Sequence, residues 1–260
     1  MNQPAFPTDA TTTLMLHGPA GALETIVEAA EAPVRDAVAI VCHPLPTDGG
    51  TMHNKVVTMA ARALRESGIA TVRFNFRGTG ASEGSFDQGR GEADDLRAVA
   101  AWVREQRPGA RLWLAGFSFG SYITLKCANE LHPAMVISIA PPAAGRSWDF
   151  STIVPPQCPW LVIQGENDEI VDPHAVYAWI DSLKLAQPPE LVKMPETSHF
   201  FHRRLMDLRG AIKNGIKPYL SPPMDVAAEG RSEVPLPPGG RGGDRSQGER
   251  WGEGEDTGNA

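Results

Sequence analysis

The sequence is poor in cysteine, with 3 among 260 residues. Cys42, Cys127 and Cys158 sit in or beside apolar segments, and an odd, sparse set suits the reduced thiols of a cytoplasmic protein better than a disulfide framework. No Cys/His spacing suggests zinc, so no metal site is expected. Long apolar runs are also missing. None approaches the roughly 18 residues of a membrane span, so no membrane partner is expected. The opening MNQPAFPTDATTT has neither a basic stretch nor an apolar core, which argues against a secretory signal there. Positive charge is not in excess. The net charge is −7, which leaves no electrostatic footprint for nucleic acid. There are no internal repeats.

What is present suits one medium domain with enough surface to bury a core. Apolar character fades at residue 221. Residues 221–260 contain 5 Pro and 9 Gly among 40 residues, above the level that suggests disorder. Val226, Val234 and Leu236 are too few to bury. A domain over residues 1–220 and a disordered Pro/Gly-rich tail over 221–260 are expected. The tail carries 8 acidic and 4 basic residues, which leaves the body at about −3.

The chain before the tail alternates between two periods. Thr11 to Leu16 and Leu23 to Ala29 read as a hairpin around Gly18-Pro19-Ala20-Gly21, with one wet face. Ala37 to Cys42, Ala70 to Phe76, Leu112 to Ala115, Met135 to Ala140, Trp160 to Gln164 and Leu191 to Met194 read as strands. Most are continuous apolar runs, as buried strands are. Helices are marked by Val56, Met59, Ala60, Ala63 and Leu64, by Leu96, Val99, Ala100 and Val103, by Val176, Trp179, Ile180 and Leu183, and by Leu205, Leu208 and Ile212. Strands alternating with helices after a leading hairpin predict a mostly parallel α/β sheet with helices on both faces. Ligands on such sheets bind at the carboxyl ends of the strands. The unusual loops all follow strands, so they fall on that edge.

One of these strands ends in Gly116-Phe117-Ser118-Phe119-Gly120 and runs straight into a helical pattern. Gly-x-Ser-x-Gly between strand and helix is the nucleophile-elbow pattern. The turn is so tight that side chains two before and two after the serine would collide with neighbouring backbone, and glycine has none. A serine needs a base to take its proton, and the base needs an acid to orient it. Downstream, Gly165-Glu166-Asn167-Asp168-Glu169-Ile170-Val171-Asp172-Pro173 and Thr197-Ser198-His199-Phe200-Phe201-His202 offer both, in the order acid then histidine.

The GFSFG elbow, the NFRGTGASEG loop at Asn75 to Gly84, the GENDEIV segment and the SHFF segment together resemble the α/β-hydrolase superfamily. The likeness is to its small capless serine hydrolases, related to the dienelactone-hydrolase and serine-aminopeptidase-like branches, and it covers about residues 11–220. It implies the α/β-hydrolase fold and Ser118 as nucleophile, Asp168 as acid and His199 as base. The implied substrate is a small acyl compound, and the chemistry needs no cofactor.

Each role has a rival. Asp172 precedes Pro173 and a helix, so its plain reading is an N-cap. Glu166 and Glu169 read as solvated loop charges. His202 opens the final helix, whereas His199 lies in a loop. His17, His43, His53, His132 and His174 read as structural or surface groups. The oxyanion hole should take the backbone N–H of Phe119, directly after the nucleophile, and a second from the loop after the Ala37 strand. Pro44 and Pro46 have no N–H, so Leu45 is the donor expected. Families of this fold often carry His-Gly here, and His43-Pro44 departs from that. Arg77 is expected to pin this loop to its neighbours. About twenty residues, Pro141 to Pro159, separate the two strands between which caps usually enter. That is too short for a cap domain, so an open site is expected, with Phe117, Phe119, Trp148 and Phe200 as candidate apolar walls.

These residues lead to an acyl-enzyme serine hydrolase acting on an ester or related acyl substrate. A thioesterase or peptidase on the same groups, and a non-catalytic binding protein of the same fold, are the other readings. Because the tail cannot supply a core, ending the chain after Ser221 should leave the melting temperature and esterase activity nearly unchanged. Calorimetry and ester turnover on the shortened chain check this.

Overall fold

The short apolar runs pair into one eight-stranded sheet. In a computed structural model of the chain, the residues described are 3–7, 10–143 and 148–224. The strands in chain order are β1 (Thr12–Gly18), β2 (Gly21–Glu28), β3 (Ala37–Cys42), β4 (Ala70–Phe74), β5 (Arg111–Phe117), β6 (Met135–Ile139), β7 (Trp160–Gly165) and β8 (Glu190–Met194). Across the sheet they run β1-β2-β4-β3-β5-β6-β7-β8. Strands β1 and β2 form an antiparallel hairpin, β2 pairs antiparallel with β4, and every later pairing is parallel. The hairpin loop is tighter than the four-residue turn expected. Gly18 pairs with Gly21, which leaves Pro19 and Ala20 as the connection.

Strand period two sorts each buried strand between two apolar layers. In β3, Val38, Ile40 and Cys42 join one layer, and Ala37, Ala39 and Val41 join the other. The first layer packs under α2 (Gly91–Gln106), α3 (Phe119–Leu131) and α4 (Pro173–Ser182), through Leu96, Val99, Ile123 and Val176. The second packs under α1 (Lys55–Arg65) and α5 (Leu205–Ile216), through Val56, Leu64, Leu208 and Ile212. Helices thus cover both faces. The final helix starts at Leu205 rather than His202, which lies in the preceding turn. None of the described helices is long and apolar enough to cross a membrane. Between β6 and β7 the described residues contain one short 3-10 turn, Phe150–Thr152, and no further domain.

The wet face expected for β2 is not there. Thr25, Ile26, Val27 and Glu28 are all buried. The reason is β4, which pairs along β2 and brings Arg73 beside Glu28. Glu28 Oε2 accepts from Arg73 Nε at 2.9 Å, and Glu28 Oε1 accepts from Arg65 Nη1 at 2.8 Å. The charge is buried because it is paired.

Residues through Met224 belong to one compact unit. The Met224 N–H donates to the Val34 carbonyl at 2.8 Å, and Arg35 donates to the Ser221 carbonyl. The expected boundary at residue 220 falls just before these contacts. Residues 225–260, where most of the expected tail lies, are outside the described residues.

Burial pushes the Glu28 carboxyl up, but the hydrogen bond and charge of Arg73, with the charge of Arg65, outweigh it and hold it below its ordinary 4.5. A carboxylate depressed in the folded state stabilises at pH above its unfolded value, and that stability is lost as pH falls through the folded value. Urea unfolding from pH 7 to pH 3 should therefore show a larger loss for the native protein than for Glu28→Gln. At pH 7, Arg73→Met should cost about 3 kcal/mol, because it leaves part of a buried pair unpartnered.

Candidate active site

Strand β5 and helix α3 meet at Ser118, which has φ 51° and ψ −119°. That conformation is costly for a residue with a side chain, and it persists only where the surroundings hold it. Here two close approaches do so. A Cβ on Gly116 would sit 2.5 Å from the Ser121 amide nitrogen, and one on Gly120 would sit 2.6 Å from the His43 carbonyl oxygen. Glycine at both positions lets α3 close onto β5 and onto the end of β3. The Ser118 N–H donates to the Ile139 carbonyl at 2.8 Å, which ties the turn to β6.

The loops after β3, β5, β6, β7 and β8 all open on this carboxyl edge and enclose one cavity of about 470 Å³. Ser118 and His199 both line it, as do Leu45 and Phe119. His199 is buried, and its Nδ1 lies 2.8 Å from Asp168 Oδ2. Oδ2 also accepts from Gln164 Nε2 at 2.9 Å, and Oδ1 accepts the backbone N–H groups of Ile170 at 2.9 Å and Val171 at 2.8 Å. Burial alone would raise the Asp168 carboxyl. The hydrogen bond and charge of His199, with the N–H groups of Val171 and Ile170, hold it below its ordinary value instead. A carboxylate this well satisfied stays ionised and fixes the imidazole with Nδ1 protonated, which leaves Nε2 as the free base.

Neither rival joins this pair. Asp172 accepts from the His174 N–H at 3.0 Å as the N-cap of α4, with Pro173 in the first turn. His202 is exposed, away from Asp168. Among the candidate walls, Phe119, Trp148 and Phe200 line the cavity. Phe117 does not. It is buried behind His199, with ring centroids 5.0 Å apart, because alternation along β5 turns it into the core.

His43 is fully buried at the start of the loop that carries Leu45. Its Nε2 accepts the Phe76 N–H at 3.0 Å, so Nδ1 donates to the Pro44 carbonyl at 2.6 Å. Burial holds this imidazole down to about 4, hence neutral. The backbone beside Leu45 is thus clamped from within. Farther along, the Met52 N–H donates to Asn75 Oδ1 at 2.8 Å, and Asn75 Nδ2 donates to Glu24 at 2.7 Å. Arg77 grips Asp95 on α2 through Nε and Nη2, so it fastens its own loop to α2 rather than pinning the Leu45 loop as expected.

Three contributors are not evident in the sequence. Gln164 reads there as the last residue of a strand, yet it holds the Asp168 carboxylate. Glu169, read as a solvated charge, accepts the His199 N–H at 3.1 Å. His43, read as a structural or surface group, holds the Leu45 loop. Only the departure of His43-Pro44 from His-Gly hinted at the last of these. Among the described residues, no group of three or more His, Cys, Asp or Glu is arranged to hold a metal ion.

The wider likeness follows the same outline. A family model for serine aminopeptidases, S33, matches residues 35–155. A lidless α/β serine hydrolase from Xanthomonas campestris is 61% identical, with a match covering 84% of this chain and 98% of that one at a TM-score of 0.79. The chain belongs to the α/β-hydrolase superfamily. An α/β serine hydrolase homologue from Coxiella burnetii is 41% identical to this hydrolase, over 82% of this chain and all of that one, at a TM-score of 0.76. A protein of Rickettsia prowazekii (strain Madrid E) is 33% identical over 208 residues, 77% of this chain and 87% of that protein. Among the described residues between β6 and β7 there is no lid domain, and the Xanthomonas relative is itself a hydrolase without a lid.

The elbow geometry makes a specific demand. Gly120→Ala should destabilise this hydrolase by about 3 kcal/mol, because the new methyl group meets the backbone of β3, which cannot move aside. Asp172→Ala should cost about 1 kcal/mol, the loss of a cap. Urea titration of both variants separates the two, and equal effects would contradict the packing argument.

Proposed function

We propose that this hydrolase is a serine esterase that cleaves small esters or related acyl compounds through an acyl-enzyme. Ser118 attacks the acyl carbonyl while His199 Nε2 takes its proton. Asp168 holds the imidazole and stabilises the imidazolium that forms. The N–H groups of Phe119 and Leu45 receive the oxyanion. His199 then returns the proton to the leaving oxygen, and water repeats the sequence to release the acid. The observation that carries the reading is the 2.8 Å contact of His199 Nδ1 with a fully hydrogen-bonded Asp168, on the wall of the cavity that Ser118 also lines. A binding protein of this fold has no need of a buried carboxylate oriented on a histidine beside a strained serine.

The partner in this reading is a small acyl substrate, and no cofactor enters any step. Ester, thioester and amide substrates would all use the same groups. An ester suits the open site better than an amide, because an oxygen leaves more readily than an amide nitrogen. A cytoplasmic location is part of the proposal. It is supported by three free cysteines, whose thiols burial pushes up, Cys127 and Cys158 to about 11.

A fluorophosphonate probe should label the native protein at Ser118 and leave Ser118→Ala unlabelled and inactive. Asp168→Asn should lower kcat by a factor on the order of 10⁴, the loss in a comparable triad. Leu45→Pro removes an oxyanion donor and should cost about 10² to 10³ in kcat, whereas Leu45→Ala should keep most of it. In a nitrophenyl ester series, butyrate should outrun palmitate, since no lid among the described residues supplies a long apolar wall. Normal labelling of Ser118→Ala, or none of the native protein, would overturn the reading.

A further inference from the structure

Beside the cavity that holds Ser118 lies a second one, of about 480 Å³. The two share Gly49, Asn54 and Phe200 as walls, so they lie side by side. Their charges are opposite. The first cavity is lined by the carboxylates of Asp48 and Asp172 and by no Lys or Arg among the described residues. The second is lined by Lys55, Arg203, His53 and His202 and by no carboxylate among them. Arg204, next in the chain, is already paired with Asp207, whereas Arg203 lines the cavity. Arg203 has φ 61° and Phe201 φ 52°, left-handed values that cost a side-chain-bearing residue energy and collect where function holds them.

We propose that the second cavity is a subsite for an anionic group, a carboxylate or phosphate, at the far end of the substrate's leaving alcohol. The side is set by chemistry. The base returns its proton to the leaving oxygen, so the leaving group must lie on the His199 side of Ser118. The shared wall Phe200 directly follows His199, and His202 and Arg203 come next. The direction is set by charge. An anion held in the first cavity would face Asp48 and Asp172, whereas in the second it meets Lys55 and Arg203. The preferred substrate is therefore a short-chain acyl ester of a hydroxy acid or of a phosphorylated alcohol. This inference rests on the esterase reading above.

The test compares 4-acetoxyphenylacetate with 4-acetoxyphenylacetamide, an isosteric pair that differs only in the distal charge. The quantity read is the ratio of their kcat/KM values in the native protein and in the double variant Lys55→Gln, Arg203→Gln. The ratio should fall about 10-fold in the variant, chiefly through KM, as two partly exposed ion contacts allow. It should also shrink in the native protein as salt rises. Lys55→Glu should push the ratio further down. Replacing the acetate by a phosphate on the same aryl alcohol arm tells which anion fits better. Unequal arms name the anion, and a response of both to the double variant supports the subsite. A ratio unchanged by the double variant would overturn the inference while ester turnover left the esterase reading intact.

Calorimetric binding of the same pair to Ser118→Ala provides a measure that needs no turnover. A carboxylate preference there that vanishes with the two cations would support anion binding at the second cavity even if native protein hydrolysed no ester, a result that would sink the esterase reading and with it the assignment of the anion to a leaving alcohol. Equal binding of the acid and the amide would overturn the subsite.

Discussion

A serine held at φ 51° between β5 and α3 is the constraint to which the rest of the hydrolase conforms. Such a conformation is stable only if the strand and helix close on each other, and closure requires two positions without a Cβ. Gly116 meets the first turn of α3, and Gly120 meets the carbonyl end of β3. The helix is therefore pressed onto the loop that begins at His43. One steric condition thus sets the direction of α3, the placement of Ser118 at the sheet edge and the proximity of the Leu45 backbone.

The electrostatics follow from that placement. At the carboxyl edge the β7 and β8 loops converge, and Asp168 finds an imidazole, an amide side chain and two backbone N–H groups. A buried carboxylate with that many donors is ionised and immobile. On the β3 side the opposite device operates. His43 is kept neutral by burial, with both ring nitrogens spent on backbone groups. One side of the cavity thus has a charged residue that orients a histidine, and the other has an uncharged histidine that orients backbone. Beyond Phe200 the surface changes sign again, to the cations around the second cavity.

Much of the fold was legible because strands buried on both faces are written as unbroken apolar runs. Ala37 to Cys42 is the clearest case, with identical bounds in sequence and structure. The hairpin was less legible. Glu28 looks like a solvent-facing residue in its own strand, and only the neighbour β4, from far along the chain, supplies the arginine that buries it. Phe117 failed for a related reason. Its place beside Ser118 suggests a cavity wall, but strand alternation sends it inward. At the site, Ser118, Asp168 and His199 could be picked out because tight turns demand glycine and because acid and base follow in order.

By itself, the sequence determined the layers, the elbow and the edge of the sheet on which the chemistry-bearing loops lie, since these depend on residue type, periodicity and steric demands within a few positions. Only the tertiary structure decided what each loop residue touches. Glu169 acquires a partner about thirty residues away, His43 reaches Phe76, and Lys55 and Arg203 come to line one cavity. Local spacing cannot encode such meetings, because they are created by the order in which strands pair and by the side on which helices pack.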